Sequence, residues 1–341
     1  MRIAVCAPQV PFIRGGAEIV SERLVEELRR RDHEAELVKV PFKWYPGERV
    51  LTQAFLWRLV DLEEADGAPI DLVIATKFPS YAVRHRNKVV WLLHQFRQAY
   101  ELDRTDLGQF DESPKERALR REVHRLDRLT LGEAAKLFAI SQNVADRLER
   151  STGLIAQVLR PPPQELPYRC DEYGDFVLSV GRIDRAKRVE LLLQALAADS
   201  SLRCVIAGEG PDRERLEQLA REGGLDGRAK FAGRVSEEQL ADLYGRCLAV
   251  YYAPVDEDFG MVPYEAFLAE KPVVTTTDAG GPLEVVRDHS TGLVVEPTPA
   301  ALAAACTWLA GHLDSAREWG RAGKLEAERL SWDHTIERLL V

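Results

Sequence analysis

The sequence predicts an α/β protein of two lobes, each a parallel sheet with helices on both faces. Three observations carry this. Short apolar runs alternate with helical patterns along the chain. The alternation halts at RPPPQELPYRCDEYGD, residues 160–175, and then restarts. The length of 341 residues exceeds one ordinary domain and suits two of roughly 100–200 residues. Three consecutive prolines continue neither a helix nor a central strand, so this stretch is the linker candidate. It divides the chain into residues 1–162 and 163–330.

In the first lobe RIAVCAPQ reads as a strand. AEIVSERLVEELRRR then reads as a helix, with Ile19, Val20, Leu24, Val25 and Leu28 at helical spacing. EAELVKV, DLVIAT, KVVWLLH and AKLFAIS are further strands, and PKERALRREVHRLDRLTLGEA is a long charged helix. The second lobe runs FVLSVG strand, RVELLLQALAA helix, LRCVIAGEG strand, DRERLEQLAREGG helix, AKFAG strand and SEEQLADLYGRC helix. It continues with LAVYYAP strand, MVPYEAFLAE helix, KPVVTT and GLVVEP strands, and PAALAAACTWLAGHL helix. Successive β-α-β units demand a parallel sheet, and ligands of such sheets bind at the carboxyl ends of strands. Two such lobes place those ends across a cleft, so the chemistry is expected in the loops after strands.

Composition excludes several classes. No apolar run reaches the roughly 20 residues of a membrane span. MRIAVCAPQV enters a strand directly and does not read as a signal peptide. Cys6, Cys170, Cys204, Cys247 and Cys306 are scattered and form no CxxC, so neither a zinc site nor a disulfide framework is indicated, and a cytoplasmic setting is expected. The net charge of −9 argues against nucleic acid as a partner. Residues 1–160 carry +2 and residues 161–341 carry −11, which suggests different partners for the halves.

The loops after strands hold the candidate residues. Gly15 and Gly16 precede a helix, where backbone can approach an anion; a plain flexible turn fits a lone Gly-Gly equally well. His94 ends a strand and can donate to a sugar or phosphate oxygen; a structural histidine fits too. Arg182 and Lys187 lie five apart around a helix start. A planar fork and a compact ammonium suit a diphosphate, against the alternative of a solvated basic patch. Gly208 and Gly210 suit a tight turn, or the lining of a base or ribose pocket.

The stretch DEDFGMVPYE sets Glu257 and Glu265 on either side of a turn. Pro263 suits the first turn of a helix. The preceding turn can offer amides to a phosphate, and a carboxylate can hold a vicinal diol. Residue chemistry alone gives two acceptors flanking an anion site. Acidic residues complementing a helix dipole are the alternative.

Taken in order, GGAE, GRIDRAKRVELLLQAL, GEGP, EDFGMVPYEAFLAEKPVV, DAGGPLEVV and TGLVVEP resemble the retaining glycosyltransferases of family 4, which have the GT-B fold of two Rossmann-like lobes facing each other across a cleft. The resemblance covers nearly all of the second lobe and, more loosely, the first; its specific part is E-x7-E. It implies a nucleotide-sugar donor (UDP- or GDP-sugar) on the second lobe and a glycan or lipid-linked acceptor on the first. It places Arg182 and Lys187 on the diphosphate, Glu265 on the ribose, Glu257 near the transferred sugar, and the amides of Phe259, Gly260, Met261 and Val262 on phosphate or sugar. His94 matches the family's first-lobe histidine, Gly15 and Gly16 its glycine loop, and GEGP brings in Gly208 and Gly210. The implied reaction retains anomeric configuration through front-face attack, with no cofactor and no essential metal. Residues 331–341 would be the tail helix that rejoins the first lobe, and are short for the family.

On the acceptor side, residues 42–60 are rich in aromatics (Phe42, Trp44, Tyr45, Phe55, Trp57), and Arg84, Arg86 and Lys88 follow. Core packing explains most of them; peripheral contact with the inner face of a membrane is the other reading. Residues 94–110 are expected as a mobile loop over the acceptor, with Phe96 and Tyr100 either stacking on sugar rings or packing on the lobe. Competing functions are a nucleotide-sugar epimerase of the same shape, a catalytically silent partner subunit, and a two-lobed sugar-binding protein, which would want an export signal.

Overall fold

The computed structural model describes residues 1–103, 105–106 and 108–340. Arg104 and Leu107 of the loop after His94, and Val341 of the expected tail, lie outside the described residues. The chain forms two compact units. One is Met1–Pro161 with the segment that begins at Trp332; the other is Pro162–Ser331.

The first unit contains β1 (Arg2–Gln9), α1 (Gly16–Arg30), β2 (Glu34–Pro41), α2 (Glu48–Leu59), a small hairpin of β3 (Glu64–Ala65) and β4 (Ala68–Pro69), β5 (Leu72–Lys77) and β6 (Lys88–His94). These are followed by α3 (Pro114–Gly132), β7 (Lys136–Ala139), α4 (Gln142–Thr152), β8 (Gln157–Val158) and, at the end of the chain, α11 (Trp332–Leu340). Its six-stranded sheet has the order β2-β1-β5-β6-β7-β8 and every pairing is parallel. All of β5 and the first six residues of β6 are buried, as a sheet covered on both faces requires. Ser113 and Ser141 cap α3 and α4 by accepting the N–H groups of Glu116 and Val144, and Gly153 ends α4 in the left-handed region. The Trp332 ring packs edge-on against Trp91, with centroids 6.2 Å apart, which seats α11 on this unit.

The second unit runs β9 (Val177–Val180), α5 (Val189–Ala198), β10 (Cys204–Ala207), α6 (Arg213–Glu222), β11 (Ala229–Gly233), α7 (Glu237–Arg246), β12 (Ala249–Tyr251), α8 (Met261–Leu268), β13 (Val273–Thr276), β14 (Gly292–Val295), α9 (Pro299–Gly311) and α10 (Leu313–Ala327). Its parallel sheet has the order β11-β10-β9-β12-β13-β14. Leu192, Leu196, Leu302 and Leu309 pack the α5 and α9 side of it. Both sheets therefore switch direction once, between β1 and β5 and between β9 and β12. Such switch points open a crevice at the strands' carboxyl ends.

Three helices were not anticipated. Residues 48–59 form α2, whose stripe is obscured because apolar residues lie on both of its faces. Helices α4 and α10 carry ordinary amphipathic spacing.

Several surface expectations also change. Trp57 and Lys88 are buried. The Lys88 ammonium donates to the carbonyls of Tyr81, Val83 and Thr130 and to Glu133. A buried cation must be satisfied in this way, so Lys88 is no part of a basic surface. Phe96 packs against Phe42, Phe78 and Phe110, and Tyr100 stacks on His124, so both aromatics after His94 serve the lobe's own packing.

Candidate functional site

In the second unit the site grows from the β9–β12 switch point. After β9 the chain turns through Gly181–Asp184 into a short 3-10 turn, Arg185–Lys187, whose start is fixed by the Asp184 side chain accepting the Lys187 N–H at 3.2 Å. After β12 the chain runs extended beside the loop that follows β13. Asp256 N–H donates to Asp278 O, Glu257 N–H to Ala279 O, and Gly281 N–H to Glu257 O. These backbone bonds fix where Glu257 points. Its carboxylate receives the Lys187 ammonium, and the Tyr252 hydroxyl lies 3.2 Å from both groups. Burial works against the lysine's charge, but the Glu257 carboxylate outweighs it and raises the Lys187 pKa.

Gly260, at φ 83°, then delivers the chain into α8. A Cβ there would stand 2.8 Å from the Tyr252 ring, so glycine is required by both backbone and packing. Met261 and Val262 open the helix, where N–H groups have no intrahelical partner, and Pro263 lacks an N–H to lose. Phe259 is buried and stacks on Tyr264, so its ring serves the packing of this turn.

Glu265 lies on α8, buried, and accepts the Tyr244 hydroxyl at 2.7 Å. Burial raises its pKa and that hydrogen bond lowers it in part. The Tyr168 hydroxyl, electrostatically coupled to Glu265, is buried without a hydrogen-bond partner among the described residues. A buried hydroxyl left without a partner is a group that a polar ligand can satisfy.

Arg182 is half exposed and faces Asp184 at 3.7 Å. Arg188 is a clamp. At φ 50° it donates to the carbonyls of Ala253 and Pro254, to Thr276, and by both terminal nitrogens to Asp278. Gly208 and Gly210 answer to packing: added Cβ atoms would lie 1.9 Å from Gly181 O and 2.1 Å from Ile183 O. They let the loop after β10 lie against the loop after β9, tied by Ile183 N–H to Glu209 O at 2.9 Å.

In the first unit the β1–β5 switch point carries Gly15 and Gly16. Glu18 caps α1 by accepting the Gly15 N–H and is ion-paired with Lys77, at the end of β5, at 2.5 Å. Gly15 has an extended φ of −132°, and a Cβ on Gly16 would meet nothing within 4 Å. Nothing among the described residues demands glycine at either position. His94 ends β6, and its Nδ1 donates to Gln95 O at 2.6 Å. Gln95 in turn donates to Asp127, as do Tyr81 and Tyr100. Burial raises Asp127 to about 6 against those three donors.

Tyr252, Tyr244 and the Asp127 network were missed by sequence reasoning. Tyr252 lies in an apolar run, Tyr244 and Asp127 lie in charged helices, and only the partners of each reveal its role. No helix among the described residues is long and apolar enough to cross a membrane.

Residues 168–326 match the model of the family described as Glycosyl transferases group 1. The chain is 32% identical over 179 residues to the alpha-1,3/1,6-mannosyltransferase ALG2 of Dictyostelium discoideum, covering 46% of this chain and 42% of that one. It is 32% identical over 236 residues to a D-inositol 3-phosphate glycosyltransferase of Mycobacterium avium, covering 64% and 54%. The chain spans about half the length of the curated relatives it matches. Among solved structures it superposes on sucrose-phosphate synthase from Thermosynechococcus elongatus with a TM-score of 0.79 at 20% identity, covering 99% of this chain and 97% of the other. The fold is thus that of two parallel-sheet Rossmann-like domains shared with glycosyltransferases of the GT-B class.

Proposed function

We propose that this chain is a glycosyltransferase that moves a sugar from a UDP- or GDP-sugar to a glycan or lipid-linked acceptor in surface polysaccharide or glycolipid biosynthesis, with retention at the anomeric carbon and without a metal. The observation that carries the reading is the meeting of Lys187 and Glu257 at the β9–β12 switch point, beside the start of α8. The family match over the second unit supports it, as do relatives named for sugar transfer.

In this reading Lys187 and Arg182 stabilise charge on the departing diphosphate, the task a metal performs elsewhere. The amides of Phe259–Val262 receive phosphate or sugar oxygens. Glu265 accepts the ribose hydroxyls, and Glu257 orients the sugar. The acceptor oxygen bonds to the anomeric carbon as the carbon–phosphate-oxygen bond breaks. Its proton passes to the leaving phosphate oxygen on the same face, so no carboxylate need be a nucleophile. For the first unit the proposal keeps hydrogen bonding toward the sugar for His94, and close backbone approach to phosphate for Gly15 and Gly16.

Thermal unfolding with UDP, GDP and ADP, each with and without EDTA, tests the donor side. A ligand at 100 times its Kd adds about 2.7 kcal/mol, which is several degrees for a domain of this size. One diphosphate should shift the transition irrespective of EDTA. No shift with any of them sinks the donor site. A shift without turnover of any nucleotide sugar turns the reading to a silent partner subunit.

A further inference from the structure

The outer side of α2 and α3 in the first unit carries a surface that sugar transfer does not explain. Phe55 and Leu59 are 59% and 65% exposed, and with Leu56 they follow helical spacing on the side of α2 opposite buried Val50, Ala54 and Trp57. Helix α3 lies alongside. The Glu48–Lys115 pair joins the two helices near their starts and the Arg58–Glu133 pair near their ends. On α3, Leu129 is 60% exposed on the edge toward α2. Beyond it Arg117, Arg121, Arg125 and Arg128 recur at four-, four- and three-residue steps along one exposed face. Arg125 faces Glu122 at 3.8 Å; the other three have no carboxylate partner among the described residues.

We propose that this face docks on an anionic lipid bilayer, the apolar stripe entering the headgroup boundary and the arginine row meeting the negative charge beside it. Charge complementarity selects the occupant. The chain as a whole carries −9, so four arginines gathered beside an exposed apolar stripe run against its overall balance. Stems of arginine cover apolar surface while their guanidinium groups reach phosphates, which an amphipathic interface at a membrane uses. This differs from the aromatic and basic residues the sequence suggested, since Trp57 and Lys88 are buried.

The test is co-sedimentation of the full chain with vesicles of phosphatidylcholine alone and of phosphatidylcholine with phosphatidylglycerol. The protein should pellet with the anionic vesicles and be released by salt. Each arginine is expected to be worth roughly fivefold in partitioning, so Arg121→Ala/Arg125→Ala should lose roughly 25-fold. Phe55→Ser/Leu59→Ser should weaken binding at every salt concentration. Arg84→Glu/Arg86→Glu, exposed elsewhere on the same unit, should leave binding unchanged. All these sites are exposed, and an unchanged unfolding temperature shows that the fold survives. Absence of wild-type binding, equal binding to neutral vesicles, or undiminished binding by the α2 and α3 variants each overturns the proposal. So does concentration-dependent self-association that the same variants abolish, which would make the face an interface between copies. Nucleotide-induced stabilisation reads the transfer proposal separately and should be the same in every variant.

Discussion

The ammonium of Lys187 is bound by the carboxylate of Glu257, and the Tyr252 hydroxyl stands 3.2 Å from each. The carboxylate partly neutralises this cation, so in the proposed reading an incoming phosphate competes with Glu257 for it. Glu257→Gln should bind the nucleoside diphosphate more tightly in calorimetric titration and lose sugar transfer. Lys187→Ala should lower kcat by about 10²–10³. Weaker nucleotide binding by Glu257→Gln than by wild type would show that Lys187 does not meet the diphosphate.

Glu265 separates stability from binding. Burial raises its pKa, so the folded state holds the proton to higher pH than the unfolded chain and the charged form costs stability once pH passes the unfolded value. Glu265→Gln keeps an acceptor for Tyr244 and removes the charge. At pH 7 its unfolding temperature should equal or exceed that of wild type, while the shift caused by the nucleotide disappears. A less stable Glu265→Gln with an intact nucleotide shift would make the carboxylate purely structural.

The glycines divide into two kinds. Gly208→Ala and Gly210→Ala drive a Cβ into a carbonyl oxygen, and Gly208 also sits at φ 149°. Each should cost about 2–5 kcal/mol in urea unfolding. Gly16→Ala faces open space at the first position of α1 and should be neutral or stabilising by about 0.4–1 kcal/mol. It should nevertheless reduce transfer if a phosphate approaches there. Full activity in Gly16→Ala would remove that role.

Asp127 gives a pH signature. Burial raises its pKa to about 6, well above the ordinary aspartate value of 3.8. Its protonated form is favoured by folding, so its contribution falls as pH rises from about 4 to 6, by about 3 kcal/mol in all. Asp127→Asn should lack this fall, so its stability relative to wild type should rise across that window. A pH-independent difference in urea unfolding between the two proteins would place the carboxyl in contact with water.

Much of the fold is readable from pattern alone. A parallel strand buried on both faces needs a continuous apolar run, which is why LVIA and VVWLL announce β5 and β6. Helix α1 keeps one apolar stripe and is equally plain. Helix α2 was missed because Phe55, Leu56 and Leu59 are apolar on the face opposite Val50, Ala54 and Trp57, so its periodicity cancels. In the site, Glu257, Glu265 and Lys187 stand out by type and spacing. Tyr252 and Tyr244 do not, because a tyrosine in a strand or a helix looks like packing until the partner of its hydroxyl is known.

The amino-acid order by itself determined the alternation of strands and helices, the parallel character of both sheets, and which loops carry cations, carboxylates and glycines. These follow from local periodicity and side-chain chemistry. The tertiary structure decided which of those groups meet. It paired Lys187 with Glu257 across 70 positions, made Arg188 a clamp, buried Lys88 among carbonyls, and left Phe55 and Leu59 outside. Contacts of that kind depend on sheet order and helix rotation, which only the packing of the whole unit sets.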